Sequence, residues 1–186
     1  MLFTHDTHVA LLATAALVNT ASEASHSGAD ELCELADLER YVQAYEFTGS
    51  RTRDERELDA VRAARSRLRE LWTLDERQAV ERVNALLREF NALPQLVRHD
   101  AWDWHIHAVG PQARLADRIC VEAAMAVLDL IRGQELSRLR TCAADDCEAV
   151  LVDLSRNRSK RFCDVGNCGN RANVAAYRAR KAAGSP

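Results

Sequence analysis

Four cysteines near the carboxyl terminus place the strongest constraint on how this chain can fold. They are Cys142, Cys147, Cys163 and Cys168, which form two C-x4-C pairs with fifteen residues between the pairs. Thiol pairs at this spacing are typical of structural zinc sites, in which four thiolates complete a tetrahedron and leave no position for a substrate. We therefore predict one structural Zn2+ ion, whose binding energy stabilises a small carboxyl-terminal module.

Disulfides or unrelated buried thiols are the alternative interpretation of these pairs. The residues inside each pair favour metal, because 143–146 (AADD) and 164–167 (DVGN) are mostly small and turn-forming. Such residues let backbone amides point at thiolate sulfurs. The two remaining cysteines, Cys33 and Cys120, lie in apolar stretches and are predicted to be ordinary buried residues.

The residues around the four cysteines predict the order of structure in the module. Residues 149–153 predict a strand, 154–160 a turn, and Arg161 and Phe162 the beginning of a returning strand. A helix follows the last cysteine, and one of its faces carries only small residues that can lie against the zinc and its hairpin. This face consists of Cys168, Ala172, Ala175, Ala176 and Ala179. The result is a treble-clef-like finger, with a zinc ribbon as the alternative.

Several stretches resemble a known family. Residues 168–171 reproduce the CGNR signature, and residues 139–147 (LRTCAADDC) and 153–159 (DLSRNRS) resemble the same finger. This CGNR zinc finger occurs in bacterial proteins described as stress-induced transcriptional regulators, behind an amino-terminal domain called ABATE. Residues 5–135 resemble ABATE in order and length, and 17–20 (LVNT) is similar to its opening. The resemblance implies two domains, an ABATE-like domain at 1–137 for sensing or dimerisation and a finger at 138–186, with DNA binding as the role.

Charge is distributed unevenly along the chain and supports that implication. Residues 138–186 carry ten basic and five acidic side chains, whereas residues 1–137 carry 15 basic and 23 acidic ones. Lys and Arg can bind phosphates, and Arg and Asn can also read base edges. The alternatives are a solvated basic surface, docking on the acidic domain, or arginines that compensate the four thiolates. The candidate DNA contacts lie at the tip of the predicted hairpin and on the exposed face of the last helix: Arg156, Arg158, Lys160, Arg161, Asn170, Arg171, Arg178, Arg180 and Lys181.

The amino-terminal part is predicted to be mainly α-helical with one small β-hairpin, an α+β domain. Periodicity and capping residues predict helices at 7–20, 30–47, 53–72, 75–90 and 113–132, the last ending at Gly133. Helical spacing also predicts which residues of the third and fourth helices face inward: Leu58, Val61, Ala64, Leu68 and Leu71 in the third, and Val80, Val83, Leu86 and Leu87 in the fourth.

The hairpin is predicted from two short strands, 95–99 and 102–109. Alternation places Trp102, Trp104, Ile106 and Ala108 on one face, and His105 and His107 on the other. The Trp102/Trp104 pair is predicted to pack in the core, with a small ligand pocket against helix 113–132 as the alternative. The two histidines are ordinary polar strand residues in the simplest interpretation and an ion site in the other.

Three classes of function follow from these features. The first is a DNA-binding regulator, expected to act as a homodimer because one small finger binds weakly. The others are a protein-interaction adaptor and a small-molecule-binding protein with a purely structural finger. Because the sequence contains no phosphate-binding glycine loop, G-x-S-x-G or H-E-x-x-H motif, we expect no enzyme. The apolar run 9–18 follows Asp6 rather than a basic residue and predicts a core helix, so we expect a cytoplasmic protein with reduced thiols.

Overall fold

The computed structural model describes residues 3–98, 103–182 and 184. About 52% of the described residues are helical, 3-10 turns included, and two small antiparallel hairpins accompany the helices, which confirms the predicted fold class. The helices in the described part of the chain are α1 His5–Val18, α2 Leu35–Ala44, α3 Glu55–Arg69, α4 Glu76–Glu89, α5 Leu115–Arg132 and α6 Cys168–Ala182. The strands there are β1 Gln95–Val97, β2 His105–His107, β3 Leu139–Thr141 and β4 Val150–Val152.

Helix α5 is the centre of the amino-terminal domain and packs against α1, α3 and α4. Its sequence is apolar on most sides, and residues from Leu115 to Leu130 are buried along its length. A helix that is apolar nearly all round is stable only when other helices surround it. It ends where predicted, at Gly133, whose amide N–H donates to the carbonyl of Asp129 at 2.9 Å.

The neighbouring helices begin at acidic caps and bury one stripe each. The Asp54 side chain accepts from the amide of Glu57 ahead of α3, and Asp75 forms a reciprocal cap with Gln78 ahead of α4. In α3 the predicted inward residues are buried. In α4 the prediction for Val80 is wrong, because this residue lies beside the buried stripe and is 38% exposed.

In the β1–β2 hairpin the face that was predicted to pack in the core is exposed, and the opposite face, which carries the histidines, turns inward. His105 is only 8% exposed, whereas Trp104 is 65% exposed, so Trp104 does not pack in the core. Trp102 lies outside the described residues. A period of two shows that the faces of a strand differ, but the face that turns inward depends on the helices beneath it. Ala108 is buried although it was grouped with Trp104, because β2 ends at His107 and the alternation ends with it.

Strand β4 belongs to two cores at once. Val150 and Val152 pack with the amino-terminal helices, whereas Leu151, on the opposite face, packs among the cysteines of the finger. Trp72, in the short 3-10 turn after α3, donates its indole N–H to the Leu151 carbonyl at 2.9 Å.

Asn19, directly after α1, fixes the same strand. Its side-chain amide donates to the Val150 carbonyl at 2.8 Å, and its side-chain carbonyl accepts from the Val150 amide at 2.8 Å. The finger is therefore attached to the helical domain by side-chain hydrogen bonds to the β4 backbone as well as by apolar packing.

None of the helices within the described ranges combines the length and the apolar character that crossing a membrane would require.

Candidate metal centre and nucleic-acid interface

The four predicted cysteines converge on one point. Their Sγ atoms all lie within 4.8 Å of one another, with 3.7 Å between Cys147 and Cys163 and 3.7 Å between Cys163 and Cys168. A tetrahedron with Zn–S bonds of about 2.3 Å has S–S edges of about 3.8 Å. The donor set fits a zinc ion, and the chain places these four thiols to bind one zinc ion. Because sulfur occupies all four positions, the ion would supply structure rather than catalysis.

Thiol titration in the cluster shows why a cation belongs there. Burial raises the pKa of Cys147 to about 12, and its hydrogen bonds to the other thiols add to the rise. Burial acts to raise the pKa of Cys142 as well, but amide donors from Cys163 and Ala144 outweigh it, so that pKa is lowered. Thiols this close cannot all ionise without a compensating charge, so zinc binding displaces protons and strengthens as the pH rises.

The hairpin of the finger differs from the predicted one. β4 pairs with β3, which precedes the first cysteine pair. The loop from Cys142 to Cys147, the first zinc knuckle, lies in the connection between these two strands. Arg161 and Phe162 do not form a strand; the Arg161 carbonyl instead accepts one hydrogen bond from the Ala143 amide at 2.9 Å.

Asp153 explains why the chain turns away after β4. This carboxylate is fully buried and accepts from the Ser155 amide at 3.0 Å and from the Lys160 amide at 3.0 Å. Arg140 pairs with it at 3.1 Å. These bonds close residues 154–160 into the predicted turn. A returning strand does not begin there, because the Lys160 amide donates to the Asp153 side chain rather than to a neighbouring strand.

The second zinc knuckle, the loop from Cys163 to Cys168, needs one small residue and one residue with a left-handed backbone conformation. A Cβ atom at Gly166 would lie 3.2 Å from the Cys168 Sγ, closer than a side chain usually tolerates. Asn167 has a φ of 52°, in the left-handed region that asparagine enters more readily than most residues. Together they turn the chain so that Cys168 enters the first turn of α6 with its thiol facing the cluster.

Helix α6 is attached only at its beginning. Cys168 is its one buried residue within the described part of the chain. Ala175, Ala176 and Ala179 are exposed, so the prediction that an alanine face lies on the zinc and hairpin is wrong. The reason is length: 15 helical residues span about 22 Å, whereas three-residue strands cover about 10 Å. The helix therefore projects beyond the module.

Four of the nine candidate DNA contacts are engaged inside the protein. Arg158 pairs with Glu135 at 2.8 Å, and Lys160 pairs with Asp164 at 2.5 Å. The Asn170 side chain donates to the Asn167 side chain at 2.7 Å.

Arg171 is the fourth engaged residue. It pairs with Asp146 at 2.5 Å and donates to the Cys168 Sγ at 3.2 Å. Its guanidinium therefore lies where it offsets the negative charge of a four-thiolate zinc site. This agrees with one alternative from the sequence, in which arginines compensate the four thiolates.

The other candidates are exposed, and Arg161 stacks over Phe162 with 5.7 Å between the guanidinium carbon and the ring centroid. Across the described ranges, no ion pair involves the remaining four, which are Arg156, Arg178, Arg180 and Lys181. The structure thus separates basic residues that stabilise the finger from those that are available to a partner.

Sequence reasoning missed the residues that join the two parts. Asn19 was noticed only as part of the LVNT stretch, and neither Trp72 nor Asp153 was assigned a contact. Cys33 was wrongly predicted to be buried: it precedes α2, is exposed and donates to the Asp30 carbonyl, whereas Cys120 is buried. A polar residue directly after an apolar helix was the only available signal for Asn19, because its partner lies 131 residues away.

The fold and the site define a zinc-finger protein with a helical amino-terminal domain, and comparison with protein families agrees. One family model, ABATE, described as "putative stress-induced transcription regulator", matches residues 12–134. A second, the CGNR zinc finger, matches residues 138–181. Because the first match covers more than half of the chain, the chain belongs to the ABATE family and carries a CGNR zinc finger after that domain. A search of curated proteins found no match.

Proposed function

We propose that this protein is a DNA-binding transcriptional regulator whose zinc finger contacts DNA and whose helical domain senses a small-molecule effector or dimerises. The observation that carries this proposal is the projection of α6. From Asn173 onward every described residue of this helix is exposed, and its last turns carry Arg178, Arg180 and Lys181. A projecting helix has the diameter that a DNA major groove admits, and its cations can bind phosphates or base edges.

The turn after β4 adds a second basic element on the same module. Arg156 and Arg161 are exposed there, so they are available to phosphate oxygens. Arg158, Lys160 and Arg171 already pair with carboxylates and are expected to contribute less, because each would have to exchange an internal partner for a phosphate. In this proposal the protein catalyses no reaction, and zinc serves to hold α6 in place.

The test is DNA binding by the full-length, zinc-loaded protein, with sites chosen by genome-wide mapping and affinities measured by fluorescence anisotropy across salt concentrations. The triple variant Arg178→Ala/Arg180→Ala/Lys181→Ala should bind more weakly, and its plot of log affinity against log salt should be shallower by about 2 to 3. The matched control, Arg56→Ala/Arg77→Ala/Arg88→Ala, removes equal charge from exposed positions of the helical domain. Unchanged affinity and slope in the first triple variant would contradict the proposal.

A protein-interaction adaptor is the second candidate, and one observation favours it. Val174 and Tyr177, three residues apart on α6, are 47% and 60% exposed. An apolar pair flanked by cations is suited to an acidic, partly apolar protein surface. Tyr177→Ala should then abolish capture of that partner at high salt, whereas DNA binding would be lost as salt rises.

A further inference from the structure

A cavity of about 170 Å³ lies in the helical domain between α1, α5, β2 and the segment Tyr45–Thr48. Part of its wall is apolar and aromatic, formed by Tyr45, Phe47, Val121 and Met125. Pockets for small molecules combine such a wall with a few polar groups that fix orientation. This cavity is separate from the zinc finger and has no role in the contacts described above.

Glu122 of α5 is the most informative group in the wall. Its side chain is partly buried in the cavity wall, and within the described ranges its carboxylate has no hydrogen bond and no ion pair. Burial raises its pKa to about 7, and the rise is opposed by Arg118 and supported by Asp6. Arg118, four residues earlier on α5, forms no ion pair with Glu122 within the described ranges. Its Nη1 donates to the backbone carbonyls of Ser50, Pro111 and Ala113, and its Nε and Nη2 have no hydrogen-bond partner there. A carboxylate held in this way destabilises the fold unless a partner of opposite charge arrives.

Negative groups outnumber positive ones around the same cavity. Asp6 and Asp129 also line it, and Asp129 accepts a hydrogen bond from Thr7 at 2.7 Å. Glu46 is a further acidic group in the wall, and Arg132 is the one Lys or Arg among the lining residues of the described chain. The electrostatic environment therefore favours a cation over an anion.

The hydrogen bonds of the two histidines in the wall argue against a metal ion as the occupant. His105 Nδ1 lies 2.7 Å from the Asp103 carbonyl, and its Nε2 lies 2.9 Å from the Nε2 of His107. A carbonyl only accepts, so Nδ1 of His105 carries a proton and one further proton lies between the two Nε2 atoms. Across the described residues, no carboxylate or thiol joins both of these nitrogens within 4.8 Å to complete a three-ligand set.

We propose that this cavity binds a small organic cation with an apolar body, an amine on an aromatic or aliphatic group, whose charge pairs with Glu122 and whose body contacts Tyr45, Phe47 and Met125. The effector role of such a ligand rests on the proposed function, whereas its binding does not. α1 lines the cavity through Asp6 and Thr7, and the chain directly after α1 holds β4 through Asn19. A ligand that repositions α1 therefore acts on the element that carries the finger.

The test uses three probes of similar size and different charge on the full-length, zinc-loaded protein without DNA: benzylamine, benzyl alcohol and benzoate. Isothermal titration calorimetry at pH 7.5 should give benzylamine a dissociation constant on the order of 1 mM, as ligands of this size reach. The other two should bind about tenfold more weakly. Glu122→Gln should remove the preference for benzylamine, while Glu81→Gln, at an exposed position of α4, should keep it.

Four results would overturn the proposal: no benzylamine binding, equal affinity for the three probes, full affinity in Glu122→Gln, or a second equivalent of zinc that is lost in His105→Asn. Glu122→Gln removes a partly buried charge and should fold, which its melting curve checks. Because the titration contains no DNA, its outcome is independent of the DNA-binding test: either proposal can fail while the other stands.

Discussion

Replacing Asn19 with alanine should destabilise the whole protein, although this residue lies far from the zinc site in sequence. Asn19 is 7% exposed and makes two hydrogen bonds of 2.8 Å to the backbone of Val150. Truncation leaves one buried N–H and one buried C=O without a partner. Each such group costs about 1 to 3 kcal/mol, so the two together give an expected loss in free energy of unfolding of about 2 to 6 kcal/mol. That is a large share of the stability of about 5 to 15 kcal/mol of a typical domain.

The measurement is urea denaturation of the zinc-saturated protein followed by tryptophan fluorescence. Trp72 is a suitable reporter, because its indole N–H bonds to Leu151, the residue after the one that Asn19 holds. The control is Asn84→Ala on the exposed side of α4, where a change within about 0.5 kcal/mol is expected.

Asn19→Asp separates the two hydrogen bonds. A carboxylate still accepts from the Val150 amide but places a second oxygen against the Val150 carbonyl, so this variant should be at least as unstable as Asn19→Ala. If Asn19→Ala unfolds at the same urea concentration as the wild type, or if Asn19→Asp is neutral, the assignment of Asn19 as the clamp on β4 is wrong.

Three further predictions follow from the site and the cavity. Elemental analysis should give one zinc per chain, with loss of the metal and of cooperative unfolding in Cys163→Ser but not in Cys33→Ser, whose thiol is exposed outside the cluster. Glu122→Gln should become more stable than the wild type as the pH rises. The folded-state pKa of Glu122 is about 7 against an ordinary glutamate pKa of 4.5, so a destabilisation of up to about 3 kcal/mol develops between these two pH values and then levels off. Urea titrations at several pH values check this, and a difference between the two proteins that does not change with pH would refute it. Arg171→Ala should weaken zinc binding about tenfold in chelator competition, because it removes the donor to the Cys168 sulfur; Arg178→Ala is the control, and equal affinity in both variants would contradict that role.

The sequence predicted those features that local rules determine. Cysteine spacing located the zinc ligands, because a metal with a fixed geometry accepts few spacings. Periodicity and acidic caps located the helices of the amino-terminal domain, because each of them must bury one stripe against α5 or its neighbours.

Features that depend on distant packing were not predictable in this way. The inward face of β2 depends on the elements that it packs against and not on its own alternation, and the partner of β4 is a strand before the first knuckle rather than after the turn. The exposed alanines of α6 follow the helical period correctly, but the module offers no surface long enough to cover them. The clamp from Asn19 to Val150 joins residues 131 positions apart, and no local pattern encodes such a contact.

The position of β4 between two cores limits how this protein can be divided. The two family models meet between residues 134 and 138, yet a cut there would remove Leu139, Val150 and Val152 from the helical core and leave their neighbours in water. A transplanted finger would need a strand with valines at the positions of Val150 and Val152, and a backbone to which Asn19 can form hydrogen bonds. Recombination within this family is therefore expected to exchange whole chains more readily than isolated fingers.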